Sequence, residues 1–245
     1  MNLKVGTYNI QHGRWHAHFC KTGEEIIDLD GVAEVIRAMG FDICGLNEVR
    51  RNDGALHDVD QAKLIAEKLG YHFVFAKAIT HHKGYEYGNA LVSKYPIRSY
   101  RAIPIAVPVE KRLSGQSRYE DRVLLIAEIE VQGRVLTMMI CHFGLCPDEI
   151  QLAVDTVKAE VAKLTGHAIF TGDLNLVPTS TYYAELASVL KDSTVNPALP
   201  LTFPSHAPNK KIDYLFASAD VRITDVAAPA VTQTDHCPYI ATVAW

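Results

Sequence analysis

Apolar and polar positions along this chain follow two periods. From Leu29 to Met39 the apolar residues fall at 29, 32, 33, 35, 36 and 39, a helical stripe that Gly40 can end. Asp58 to Leu69 predicts a second amphipathic helix, ended by Gly70. Tyr71 to Ala76 and Asn89 to Ser93 read as strands. Val123 to Val131 alternates as a strand does, and Gln132-Gly133 turns tightly into Val135 to Cys141. Pro147 to Leu164 is the longest predicted helix, with Pro147 in its first turn. Ala168-Ile169-Phe170 reads as a buried strand, Thr181 to Val189 as a short helix, and the last strands lie near Ile212 to Ala217 and Pro238 to Ala244. Strands and helices alternate early and hairpins appear in the middle, which predicts an α/β chain with mixed sheets. Gln11 to Asp28, with Trp15, His16, His18 and Phe19, reads as a long loop, either functional or simply surface.

Length and composition narrow the class. With 245 residues, 48% of them apolar and 21% charged, the chain can bury a sizeable core, and it is expected to be one domain, 1–245. No stretch approaches the roughly 20 apolar residues of a membrane span. The first residues lead straight into a strand-like segment without a signal-peptide pattern. The five cysteines are odd in number and three sit in or beside apolar runs, so reduced thiols and a cytoplasmic setting are expected. Net charge is -4, where a non-specific DNA binder usually shows a basic surplus. Arg98, Arg101, Lys111, Arg112, Arg118 and Arg122 form a local surplus, either a solvated loop or a rim that steers a phosphate-bearing substrate. No glycine-rich nucleotide loop is present.

Candidate chemistry collects where apolar runs end. Gly172-Asp173-Leu174-Asn175 follows the buried strand, with an acid and an amide two residues apart. Such residues also serve ordinary turns. Asn9, Glu48 and His142 likewise end apolar runs, Asp213 sits inside one, and Asp235-His236 precedes the last. Polar groups at strand mouths, held by a rigid sheet, are where active sites are commonly built. Cys237 beside His236 raises a catalytic cysteine, but the acidic set accounts for that histidine better.

Val5 to Ile10, Gly45 to Val49, Gly88 to Ile97, Cys141-His142-Phe143, Gly172 to Asn175, Ile212 to Phe216 and Thr234-Asp235-His236 together resemble the endonuclease/exonuclease/phosphatase superfamily. The likeness spans essentially the whole chain, in order. It implies a DNase I-like four-layer α/β sandwich, two mixed sheets face to face between helices. It also implies a phosphoesterase dependent on Mg²⁺, with Mn²⁺ able to replace it. Carried over, Glu48 resembles the main metal ligand, Asn9 a residue helping to hold metal or phosphate, and Asp235 a further acid near the metal. Asp173 resembles the group that orients or deprotonates the attacking water, and Asn175 a contact to the scissile phosphate. His236 resembles the histidine that stabilises the transition state, with Asp213 as its buried carboxylate. His142 resembles a second histidine of the sphingomyelinase-like and phosphatase-like branches. Arg122, in Glu120-x-Arg122, is inferred to contact phosphate. Gln11 is neutral where several nuclease branches carry an acid, so a second metal there is not expected.

These residue types suit phosphoester hydrolysis independently of the likeness. A hard cation on a carboxylate, with cationic and donor side chains, offsets charge building on the phosphoryl oxygens. The expectation is a phosphodiesterase on a small or lipid-like substrate. A nuclease, a sugar or inositol phosphate monoesterase, and a non-catalytic binding protein are the alternatives. Nucleic acid is not favoured by the net charge, selectivity is expected in the loops Gln11 to Asp28, Ile79 to Tyr87 and Ile103 to Arg122, and oligomeric state is unreadable.

Overall fold

The computed structural model describes residues 2–52, 59–194 and 196–245. In chain order the elements are β1 (Leu3–Asn9), α1 (His16–Thr22), α2 (Leu29–Met39), β2 (Ile43–Arg51), α3 (Gln61–Leu69), β3 (His72–Thr80) and β4 (Glu86–Ser93). There follow β5 (Ile97–Ile105), β6 (Arg122–Val131), β7 (Arg134–Cys141), α4 (Pro147–Val161), β8 (His167–Asp173) and α5 (Thr181–Ala187). The chain closes with β9 (Lys191–Asp192), β10 (Asp213–Ala217), β11 (Arg222–Ala227) and β12 (Tyr239–Ala244).

Two six-stranded mixed sheets result, in the orders β11-β12-β1-β2-β4-β3 and β5-β6-β7-β8-β10-β9. Their inner faces meet in a core that includes Val5, Ile43 and Leu91 from the first sheet and Leu125, Met138 and Ile169 from the second. The first sheet's outer face, with Cys44, Leu46 and Val49, is covered by α2 and α3 through Ile36 and Ile65. The second sheet's outer face, with Met139 and Phe170, is covered by α4 and α5 through Val154 and Leu186. Four layers follow, the DNase I-like sandwich that was expected. Burying one face of each sheet in the other and the opposite face under helices removes both from water.

The helix ends obey ordinary capping. Asp28 accepts from the backbone N–H of Gly31, and Asp60 from that of Lys63. Asp58, where α3 was expected to start, lies outside the described residues; the helix itself begins at Gln61. The helix expected to reach Leu164 ends at Val161. Gln11 to Asp28 is not one long loop, because it holds a 3₁₀ turn over Gln11–Gly13 and then α1. Among the described residues, no helix is long and apolar enough to cross a membrane. None of the five cysteines is in a disulfide; four are buried and Cys20 is exposed.

Three backbone details position the site. Between Leu46↔Ala90 and Val49↔Gly88, the two residues Asn47 and Glu48 of β2 oppose the single Asn89 of β4. This is a β-bulge, and Glu48 takes a left-handed φ of 58° within it. Leu46 and Val49 both stay on the helix-covered face. Glu48, which strict alternation would send to that same face, is turned with Asn47 to the opposite side. At Gly172, φ is 150°, and a Cβ would stand 1.9 Å from the carbonyl oxygen of Cys141. At Gly45 the sheets approach closely: a Cβ would lie 2.9 Å from Ile140 Cγ1 and 3.2 Å from Thr171 Cγ2.

Candidate active site

The carboxyl ends of two parallel strand pairs, β1 with β2 and β7 with β8, open at the same end of the sandwich. Open α/β sheets commonly bind ligands there. A cleft of about 700 Å³ lies at that end, with walls from both sheets. Glu48, Asp173, Asn175, His142, Asp235, His236 and Arg122 all line it. Asn9 and Asp213 lie just beneath, buried. The structure thus brings every sequence-predicted site residue to one place.

Asn9, at the end of β1, ties the two sheets together. Its Nδ2 donates to Glu48 Oε1 at 2.9 Å and to Asp173 Oδ2 at 3.1 Å. Its own oxygen accepts from the backbone N–H of Gln11 at 3.0 Å. Glu48 is held from its other side by Tyr87, whose Oη donates to Oε2 at 2.6 Å. Tyr87 escaped the sequence reading, which left it in a loop. The available signal was its place two residues before Asn89, which puts both on one face of β4. Asn47, the other bulge residue, accepts from the backbone N–H of Asp173 at 2.9 Å.

Asp173 and Asp213 are directly paired across antiparallel β8 and β10. Like charges in that relation oppose folding unless a cation lies between them. His236 is that cation. Its Nδ1 donates to Asp213 Oδ2 at 3.0 Å, and its Nε2 lies 3.5 Å from Asp173 Oδ2. Burial pulls the imidazole down, but Asp213 and Asp173 together outweigh it and raise the pKa to about 10. The Asp173 pKa is raised as well, to about 7, but here burial is the main cause, with the His236 charge opposing and Asp213 adding to it. Asp235 is raised to about 6, mainly by burial, with Glu48 among the contributing charges.

His142 is the electrostatic opposite of His236. Burial above all, then Arg122 and His236, drives its pKa well below the ordinary value. Arg122 Nη1 lies 3.3 Å from His142 Nδ1. Nε2 lies 3.5 Å from Asp173 Oδ2 and 3.2 Å from Asn175 Nδ2. Both ring nitrogens thus face a donor, Nδ1 the Arg122 guanidinium and Nε2 the Asn175 amide, and a neutral ring can accept from one of them only. Asn175 Nδ2 also donates to Phe143 O at 3.1 Å. His142 and Asn175 thus stand together at the cleft wall, where their polar groups can face a phosphoryl oxygen. Arg122 itself is committed to Glu120 at 2.8 Å as well as to His142.

The arginine-rich stretch is not a steering rim. Arg98 pairs with Glu130 and Arg101 with Glu160, both from β5 at the edge of the second sheet. Arg112 pairs with Asp121 at 3.6 Å. Of the six, Arg122 alone lines the cleft. His81 lines it too, stacked on Tyr85 with 4.4 Å between ring centroids, while His82 and Lys83 are exposed.

The donor set around Glu48 fits a hard cation. Buried Asp235 Oδ1 and Gln11 Oε1 have no hydrogen-bond partner, and Gln11 Nε2 donates to Asp235 Oδ2 at 2.8 Å. Acceptor oxygens crowded together without donors are what an oxygen-ligated divalent ion requires. Asp173, Asp213 and His236 also lie close enough to share an ion. In this arrangement the His236 Nδ1–H is already bonded to Asp213 and its Nε2 faces Asp173, so the three side chains satisfy one another.

Comparison with known proteins agrees with this geometry. The model of the Endonuclease/Exonuclease/phosphatase family matches residues 6–236. No curated protein sequence matches the chain. An endonuclease/exonuclease/phosphatase structure from Bacteroides vulgatus superposes with a TM-score of 0.78 at 19% identity, covering 100% of this chain and 99% of that one. A mannosyl-6-phosphatase from Bacteroides thetaiotaomicron superposes with a TM-score of 0.72 at 18% identity, covering 99% and 100%. The human Nocturnin catalytic domain, with a bound sulfate anion, gives 0.68 at 18% identity, covering 99% and 94%. At such identities the likeness carries the fold alone.

Proposed function

Since the chain belongs to the endonuclease/exonuclease/phosphatase family, whose members hydrolyse phosphoester bonds, we propose that it is a divalent-metal-dependent phosphodiesterase acting on a small ester. Glu48 and Asp235 would hold Mg²⁺ or Mn²⁺, with Asn9 and Gln11 beside them. The ion would act as a Lewis acid, neutralising charge on the phosphoryl oxygens.

The remaining steps belong to side chains. Asp173, with a pKa of about 7, is matched to accepting or aiming a proton of the attacking water near neutral pH. Asn9 and the backbone N–H of Asn175 fix its two oxygens. His236 keeps its charge through the same range and supplies a cationic donor against the phosphate. Asp213 fixes its orientation. His142 and Asn175 supply neutral polar groups at the cleft wall.

The observation that favours a diester is that the arginine nearest His142 is already engaged. Arg122 is tied to Glu120 and His142, and His142 is neutral. His236 is then the cation in contact with Asp173 and Asp213, which suits a monoanionic diester better than a dianionic monoester. A second reading, a sugar-phosphate monoesterase, draws on Lys210, which lines the cleft and has no acidic partner among the described residues. It also draws on the likeness to the mannosyl-6-phosphatase.

The test compares hydrolysis of bis-p-nitrophenyl phosphate with that of p-nitrophenyl phosphate, in Mg²⁺ or Mn²⁺, with a chelator control and His236→Ala. Diester turnover that needs both the metal and His236 is expected. Turnover of the monoester alone would transfer the reading to the sugar phosphatase.

A further inference from the structure

The two walls of the cleft differ in chemistry. The wall from the first sheet and its connections presents His12, Arg50, Tyr85 and Tyr87, with Ile79 among them. On the wall from the second sheet, Leu145 and Val177 are 48% and 46% exposed, and Phe203 and Ile212 line the cleft with them. Lys210 lines this wall too, exposed. His142, by contrast, is buried, and the Arg122 side chain is only 11% exposed.

Chain geometry holds the two aliphatic side chains beside the polar centre. The bond from Asn175 Nδ2 to Phe143 O ties together the connections that follow β7 and β8. Leu145, two residues after Phe143, and Val177, two after Asn175, therefore border the same part of the cleft. Leu174 N–H donates to Ile212 O at 2.9 Å, which brings Ile212 alongside. Leu145 directly precedes Cys146, the N-cap of α4. An apolar residue there ordinarily staples onto the fourth helical position, here Ile150. Ile150 is buried in the core, yet about half of Leu145 stays in water. Val177 O accepts from Ser180 N–H at 2.9 Å, a turn that fixes the chain at the rim. Single exposed aliphatics are ordinary, but two that flank a polar centre at the mouth of one cleft form a ligand-binding surface.

We propose that Leu145 and Val177 are specificity-determining residues that receive an aliphatic substituent of the ester, an alkyl chain of several carbons. The polar remainder of the substrate faces Arg50 and Tyr85 on the opposite wall. The substrate class is then an amphiphilic phosphodiester, which deepens the phosphodiesterase reading and rests on it for the phosphorus centre alone. A cleft of about 700 Å³ is of the size that takes a drug-sized ligand, well beyond a phosphoryl group. Each methylene laid on the aliphatic wall leaves water and adds to affinity.

Methyl(alkyl)phosphinates test this without turnover. They carry the tetrahedral monoanion of a diester but only P–C bonds, which hydrolysis does not break. Calorimetry would measure binding of dimethyl-, butyl(methyl)- and hexyl(methyl)phosphinate to the full chain in Mg²⁺. Affinity is expected to rise about two- to four-fold per added methylene. The double variant Leu145→Ser, Val177→Ser should flatten the series. Val189→Ser, which removes a similarly exposed aliphatic side chain outside the cleft, should keep the slope. Hydrolysis of bis-p-nitrophenyl phosphate, measured beside it, separates the two readings. Diester turnover with an affinity that ignores chain length would overturn this proposal and leave the phosphodiesterase standing. A chain-length series lost in the double variant, without turnover of the diester, would keep the aliphatic subsite and count against the catalytic reading. Failure of the hexyl compound to bind, or a slope that survives in the double variant, would likewise overturn the proposal.

Discussion

His236 sits between two carboxylates that the sheet places opposite each other, and much of the site's behaviour turns on that arrangement. Its folded pKa of about 10 lies above the ordinary 6.5. Protonation therefore stabilises the folded state fully below about 6.5, and that contribution is lost as pH rises through about 10. Asp213→Asn should lower the His236 pKa, read by NMR titration of its ring, and make the protein less sensitive to alkaline unfolding. His142 has the opposite sign. Its folded pKa is depressed, so its contribution is present above about 6.5 and lost as pH falls below that value. Arg122→Gln should remove one of the charges that hold the His142 pKa down, visible as a rise in the NMR titration of its ring, and reduce kcat by about 10²-fold. Glu48→Gln keeps the size of the side chain but removes its charge. It should cost about 10²–10³-fold or more in turnover, with the loss following weakened Mg²⁺ binding measured by calorimetry.

Single bends and edges decide which segments carry the site. The bulge at Asn47 and Glu48 converts a residue due for the helix-covered face into one that reaches the cleft. No local motif announces it, although the polar pair within an apolar run marks the place. Residues at strand mouths were legible because a charged or amide group ending an apolar run has few uses in a core. The elements missed were those without a period. β5 is an edge strand whose residues 98 to 102 are exposed, with Arg98 and Arg101 paired to acids. Its polar surface guards the edge and hides the strand in the sequence. β11 is also an edge strand, with a register shift between Thr224 and Ala227. α1 has no buried residue and so no apolar stripe. Gly172→Ala tests the β8 end directly. Its Cβ would strike the Cys141 carbonyl, and its φ is unfavourable to an L side chain. A loss of about 2–4 kcal/mol is expected in denaturant unfolding, and a change below 0.5 kcal/mol would contradict the packing.

Across the whole molecule, both sheets contribute to the candidate site, and neither holds it complete. Glu48, Asn9, Asp235 and His236 come from the first sheet and its connections, while Asp173, Asn175, His142 and Asp213 come from the second. The chain's net charge of -4 and its internally paired arginines leave little to attract a nucleic-acid backbone. Fluorescence anisotropy with labelled oligonucleotides at low salt should detect no binding tighter than about 10⁻⁴–10⁻⁶ M, the range of non-specific contact. Binding tighter than about 10⁻⁶ M that weakens steeply with salt would revive the nuclease alternative. The two-sheet origin of the site also gives Gly45 a second meaning. It lies where β2 meets Ile140 and Thr171, and His142 and Asp173 follow each of these by two residues. A methyl group there is a shim driven into the hinge side of a vice: the jaws are Glu48 and Asp173, and a few tenths of an ångström at the shim reappear as slack in their grip. Gly45→Ala would then detune turnover more than it loosens the fold, making the thickness of one residue the gauge by which this enzyme is set.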